Sequence, residues 1–174
     1  MKILDIVIHP HLETSTVNKT WMNRLKQEKD ITVHDLYGTY PNGAIDVEKE
    51  QQLLLDHDRI VFQFPMYWYS SPALLKQWED DVLTYGWAYG NKGTQLHGKD
   101  FLLAISMGAA ESSYQVGGDF NVTISELIQP LQTTANMIGM RFLPVFKQYG
   151  ALNLSKEDVQ NSAEKLVNYL KTEH

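Results

Sequence analysis

The stretch His9-Pro10-His11-Leu12-Glu13-Thr14-Ser15-Thr16-Val17-Asn18 follows a short aliphatic run and leads into a helical pattern, so its small polar side chains sit at a strand-to-helix junction. A helix that starts there offers unpaired amides and the positive end of its dipole, which can hold a phosphate without lysine or arginine. The same residues also read as an ordinary capped helix start. The usual glycine-rich alternatives are missing. No two of the 11 glycines are separated by one residue, and Gly98-Lys99 is followed by Asp100, so neither G-x-G-x-x-G nor a P-loop is present.

A second loop, Pro65-Met66-Tyr67-Trp68-Tyr69-Ser70-Ser71-Pro72, places three consecutive aromatic residues past another apolar run. Rings in such a place suit a planar ligand, through stacking and edge contacts, and they equally suit a hinge packed on the next helix. In a third loop, Ser106-Met107-Gly108-Ala109-Ala110, small residues let the backbone approach a flat ring, so that amides reach a carbonyl edge gaining negative charge. A tight strand-to-helix turn explains that loop as well. His9-x-His11 has no second cluster at ligand spacing, and His34, His57, His97 and His174 are scattered, so no metal site is expected.

These loops need a scaffold. Five short runs, Ile3–Ile8, Ile31–Leu36, Ile60–Phe64, Phe101–Ser106 and Phe142–Phe146, read as strands. Between and after them lie helical patterns. Val17, Trp21 and Leu25 recur behind Ser15, while Val159, Ala163, Leu166, Val167 and Leu170 share one face behind a Ser155/Asp158 capping pair. This alternation predicts an α/β fold: a flavodoxin-like doubly wound five-stranded parallel sheet with helices on both faces and ligands beyond the carboxyl ends of its strands. A single domain over residues 1–174 fits the length. The segment Gly86–Gly98 reads as a wrap around the site or a partner.

Charge and composition narrow the partners. Fifteen Lys and Arg against 21 Asp and Glu give a net charge of −6, with no basic cluster to hold nucleic acid. No cysteine is present, which removes disulfides, thiolate metal sites and thiol nucleophiles and points to a reducing, cytoplasmic setting. The run Phe101–Ala110 is too short to span a bilayer.

Taken in order, His9-Pro10 with Ser15-Thr16-Val17-Asn18, Phe64 to Tyr69 followed by Pro72-Ala73-Leu74-Leu75-Lys76, Gly86-Trp87-Ala88-Tyr89-Gly90, and Gln129 to Ala135 carry a resemblance across the whole chain. The sequence resembles the flavodoxin-like NAD(P)H:quinone oxidoreductases, above all the short ancillary oxidoreductases of glutathione-regulated potassium-efflux systems. The resemblance implies an FMN with its phosphate over Ser15, Thr16, Val17 and Asn18. The ring then lies between Pro65, Met66, Tyr67, Trp68 and Tyr69 on one side and Ser106, Met107, Gly108 and Ala109 on the other, with His9 joining by position. Family members commonly read Thr-Thr-Gly-Gly where this chain has Ser106 to Ala109, so one hydroxyl and one glycine are lost. No histidine lies between His97 and His174, so the histidine of larger relatives has no counterpart.

The expected activity is two-electron transfer from NAD(P)H through flavin to a quinone, with Tyr114 as the group that steadies developing charge. A homodimer is expected to roof the site through Trp78, Tyr85, Trp87 and Tyr89. The alternative is a regulatory ancillary subunit of a membrane potassium-efflux transporter, lying peripherally at the inner face of the membrane with flavin turnover secondary. A carrier without turnover is disfavoured by the aromatic second loop.

Overall fold

A computed structural model describes residues 1–174, and its centre is one parallel sheet. The strands are β1 (Ile3–Val7), β2 (Ile31–Asp35), β3 (Arg59–Pro65), β4 (Asp100–Ser106), β5 (Arg141–Phe142) and β6 (Phe146–Gln148). The order is β2-β1-β3-β4-β5, with β6 also beside β4, which is the doubly wound flavodoxin-type arrangement. Every residue of β1, β3 and β4 is buried, as expected for central parallel strands covered on both faces. Strand order reverses between β1 and β3, so the loops leaving those two strands diverge and open a crevice.

The helices are α1 (Val17–Leu25), α2 (Leu36–Thr39), α3 (Val47–Leu55), α4 (Ala73–Val82), α5 (Ile124–Leu127), α6 (Gln129–Met137) and α7 (Lys156–Lys171). On one face, Trp21 and Leu25 of α1 and Leu166 and Leu170 of α7 pack on Ile3, Val61 and Leu102. On the other, residues of α2 to α6 pack on Leu4, Ile6, Phe62, Leu103 and Ile105. Each such side chain contributes about 1.5 to 3 kcal/mol of burial, which holds both helical layers on the sheet. The expected Ser155/Asp158 capping box closes the start of α7, its hydroxyl accepting from the Asp158 N–H at 3.1 Å. Leu36, expected at the end of β2, instead opens α2, because Asp35 caps that turn by accepting from the Gly38 N–H at 3.0 Å.

The last expected strand is broken. Pro144 carries no N–H for the ladder, and the pairing slips by one residue, from Phe101↔Phe142 to Ala104↔Phe146. Unbroken alternation would put Phe142 and Phe146 on one face. The slip separates them: Phe142 packs beside Phe101, whereas Phe146 meets Trp21 edge-on, with ring centroids 5.5 Å apart.

Two features expected at a partner surface are core features. Trp78 is fully buried, its Nε1–H donating to Glu50 Oε2 at 2.9 Å, and Trp87 packs against the main core. Within Gly86–Gly98 the chain folds back on itself, and Gly90, at φ +77°, lies so close under Tyr85 that a Cβ would fall 2.3 Å from that ring. Only Tyr85 of the four aromatics is exposed.

Candidate functional site

The loops leaving β1, β3 and β4 meet in one cleft of about 560 Å³, within the roughly 300 to 1,000 Å³ of ligand pockets. Its lining brings together His9, Ser15, Thr16, Val17, Asn18, Pro65, Met66, Tyr67, Ser106 and Gly108 of the expected residues. No lysine or arginine lines it. Positive character must come from amides, and the first turn of α1 supplies them: the N–H groups of Thr16 and Val17 have no partner within the protein. The Ser15 hydroxyl stands at the same place and accepts from the Asn18 N–H at 3.1 Å.

His9 is buried and held. Its Nδ1 accepts from the His11 N–H at 3.0 Å, which assigns the ring proton to Nε2. Burial, aided by His11, lowers its pKa, so the ring is a neutral donor. Tyr67 packs edge-on to it at 6.2 Å, and burial raises the Tyr67 pKa.

Asn18 differs from expectation. It is 1% exposed, and its carboxamide turns inward: Nδ2 donates to Ser106 Oγ at 2.8 Å and Oδ1 accepts from Gln63 Nε2 at 3.3 Å, the same Nε2 donating to the Asn18 main-chain carbonyl at 3.0 Å. The side chain braces the ends of β3 and β4 under the cleft instead of facing a ligand. Trp68 and Tyr69 also differ. Tyr67 and Ser70 exchange two backbone hydrogen bonds of 2.9 Å, closing a two-residue turn with φ of 48° at Trp68 and 62° at Tyr69. Turns of this kind favour Asn-Gly, because bulky residues are strained at positive φ. The Trp68 ring is 93% exposed and Tyr69 packs on Phe120, so neither stacks in the cleft, and what the turn offers is the unpaired amides of both residues.

The third loop is likewise divided. The Met107 N–H donates to the Gln148 carbonyl at 2.8 Å and its side chain is buried in the core, so Met107 is structural. Ala109 packs against the core, and its carbonyl accepts from Gly150. The amides of Gly108 and Ala109 stay free. Tyr114 does not line the cleft. Its ring packs between Phe120 at 4.9 Å and Tyr149 at 5.9 Å, and burial raises its pKa, so the phenol stays protonated.

Thr14, read with the polar side chains of the first loop, also lines the cleft, whereas sequence reasoning missed His11, Ala151 and Leu152. The last two lie on the loop after β6, and a loop at the carboxyl end of a fifth strand is a place this fold uses for ligands. Leu152 approaches Gly108 so closely that a Cβ there would lie 3.1 Å from Leu152 Cδ1.

A crevice of free amides and hydroxyls at the switch point of a β2-β1-β3-β4-β5 parallel sheet defines a flavodoxin-like ligand-binding protein. A family model described as flavodoxin-like fold matches residues 1–171, and the chain belongs to that family. It is 81% identical, over the full length of both chains, to the uncharacterized NAD(P)H oxidoreductase YrkL of Bacillus subtilis. It is 38% identical to the glutathione-regulated potassium-efflux system ancillary protein KefG of Yersinia pestis, covering 98% of this chain and 94% of that one.

Among solved structures, general stress protein 14 of Treponema denticola in complex with FMN superposes with a TM-score of 0.94 at 42% identity, covering 98% of each chain. An NADPH-quinone reductase from P. pentosaceus gives 0.91 at 35% over the whole of both chains. A structure described as a thermophilic tryptophan halogenase from Streptomycin violaceusniger gives 0.96 at 49%, over 98% and 99%. The activities named among relatives differ, so activity has to be argued from the cleft.

Proposed function

We propose that this protein is an FMN-dependent oxidoreductase that takes two electrons from NAD(P)H and passes them to a quinone. The observation that carries the reading is that the unpaired amides of Thr16, Val17 and Gly108 line a cleft with no cationic side chain, while the loops that border it carry further unpaired amides at Trp68, Tyr69 and Ala109. That donor set fits a phosphate at one end and the carbonyl edge of a planar ring at the other. The FMN-bound relative and the relatives named as NAD(P)H oxidoreductases and quinone reductases support it.

On this reading Ser15, Thr16 and Val17 hold the phosphate, assisted by His9 Nε2–H. Ring contacts fall to Pro65, Met66, Tyr67 and Gly108 and to the amides of Trp68, Tyr69 and Ala109. Bound FMN supplies reversible hydride chemistry; the protein orients the reactants and excludes water. Free amides aimed at the ring edge stabilise negative charge there without reorganising. Tyr114 keeps its proton and lies outside the cleft lining, packed on Phe120 and Tyr149, so a charge-steadying role requires its hydroxyl to reach the ring from there. Tyr114→Phe tests this: a fall in kcat supports the role, and unchanged turnover leaves the phenol a packing group.

The absorption spectrum of the purified protein, with the released chromophore identified, tests cofactor binding. Anaerobic bleaching by NADH or NADPH and recovery of colour with a benzoquinone test the activity. A colourless protein that binds no added FMN would overturn the reading. A second reading, an ancillary role toward a potassium-efflux transporter, rests on the likeness to KefG along nearly the whole chain. Co-purification with a membrane transporter tests it. No helix is long and apolar enough to cross a membrane, so on that reading the contact is peripheral.

A further inference from the structure

Three buried side-chain polar atoms on one face of the sheet lack a hydrogen-bond partner: both carboxyl oxygens of Asp5 and Oε1 of Gln63. In the β1–β3 register Asp5 pairs with Val61 and Val7 with Gln63. Asp5 and Gln63 are therefore diagonal neighbours, on the sheet face where Ile3 and Val61 pack under α1. Two acceptors side by side repel, but a carboxylic acid is a donor, and a donor is what Gln63 Oε1 lacks. Beyond Gln63 the chain of bonds continues through Asn18 to Ser106 at the cleft.

We propose that Asp5 and Gln63 are positioning residues for the cofactor cradle: Asp5, in its acid form, donates to Gln63 Oε1 and so fixes the carboxamide whose Nε2 holds the first turn of α1. The proposal rests on the reading of the cleft as the flavin phosphate site. Full burial without a counter-charge pushes the Asp5 carboxyl up to about 8, so the acid form prevails at neutral pH. The strands beside Asp5 present Val33, Val61 and Gln63, and α1 presents Trp21, Met22 and Leu25; none of these ionises. The nearest ionisable side chains on that face are committed elsewhere. Asp35 accepts from the Gly38 N–H, and Arg59 is held by Asp100 and by the carbonyls of Leu170 and Thr172.

Titration of the apo protein with FMN at pH 7 and pH 9 tests the pair, since the FMN phosphate is a dianion at both. In the wild type Kd should rise about tenfold over that interval, as binding that needs the acid form of a group titrating near 8 requires. Asp5→Asn keeps a donor and cannot ionise, so its Kd should be the same at both. Asp5→Val, which lacks the donor, should bind about fivefold more weakly at both, the worth of one buried hydrogen bond. Identical pH profiles for wild type and Asp5→Asn, or wild-type affinity in Asp5→Val, would overturn the proposal. In the infrared difference between wild type and Asp5→Asn, which cancels the Glu79 carboxyl that burial raises to about 7, a carbonyl band of a protonated carboxylic acid, shifted in Gln63→Leu, reads the pair without any cofactor. If no FMN binds at either pH the cleft reading fails, and that band alone decides: its absence, or an unshifted band in Gln63→Leu, overturns the pair.

Discussion

Asp5 makes stability depend on pH in a direction opposite to that of most carboxylates. Its folded pKa of about 8 lies above the ordinary 3.8, so the folded state holds a proton that the unfolded chain releases. The associated stability is complete below about pH 4 and is lost as pH rises through 8, with about 4 kcal/mol gone by pH 7. Asp5→Asn should therefore melt progressively higher than wild type as pH is raised from 5 to 8, and parallel melting curves would contradict the burial argument. Ser15 and Asn18 should separate by readout. Ser15→Ala removes a hydroxyl from the phosphate end and should weaken FMN binding about tenfold or more, with about 1 kcal/mol of stability lost because that hydroxyl also accepts from the Asn18 N–H. Asn18→Ala leaves the buried Ser106 hydroxyl without its donor and removes one of the two acceptors of Gln63 Nε2, and should cost about 1 to 3 kcal/mol of stability, measured by denaturant unfolding. The polar residues around α1 were legible as a site. That Asn18 faces inward was not, because residue type does not say which side of a helix start meets the sheet.

The turn Tyr67-Trp68-Tyr69-Ser70 is an element whose conformation its residues resist. Two bulky residues at positive φ cost of order 1 to 3 kcal/mol each, a strain that survives where a fixed amide direction is useful. Trp68→Asn with Tyr69→Gly should raise the apo protein's stability by about 1 to 2 kcal/mol. If the turn serves only to expose its amides, FMN affinity should be kept, and a loss of affinity would assign the ring contact to the Tyr69 side chain. At this scale the apolar runs identified β1, β3 and β4 to within a residue, because central parallel strands are continuous hydrophobic stretches. The fifth run failed where Pro144 lies, since a proline in a strand pattern signals a break but not the one-residue slip that parts Phe142 from Phe146.

For the whole molecule, alternation of strands and helices was enough to foresee a doubly wound parallel sheet of flavodoxin-like type, and with it functional loops beyond the carboxyl ends of its strands. The part contributed by Ala151 and Leu152 was not foreseen, because nothing in Gly150-Ala151-Leu152 marks chemistry. A shared cleft for donor and acceptor predicts ping-pong kinetics: initial rates against both substrates should give parallel reciprocal lines, and intersecting lines would require both to bind at once. Trp68, Val116 and Leu152 are exposed, and Leu152 is on the cleft wall, which supports a second copy as the cover. Light scattering should then give twice the 20.0 kDa of one chain, and a monomer with full turnover would rule out a shared roof.

The exposure of Trp68 also makes it an optical probe. Of the four tryptophans, Trp21 and Trp78 are fully buried and Trp87 is half-buried, leaving Trp68 as the one in open water. The red-edge emission and the fraction reached by an aqueous quencher such as iodide are therefore dominated by Trp68, and a Trp68→Phe control subtracts the share of Trp87. That signal should shift to the blue, and resist iodide, whenever a ligand or a partner chain settles over the turn, so covering of the crevice can be followed in unlabelled protein.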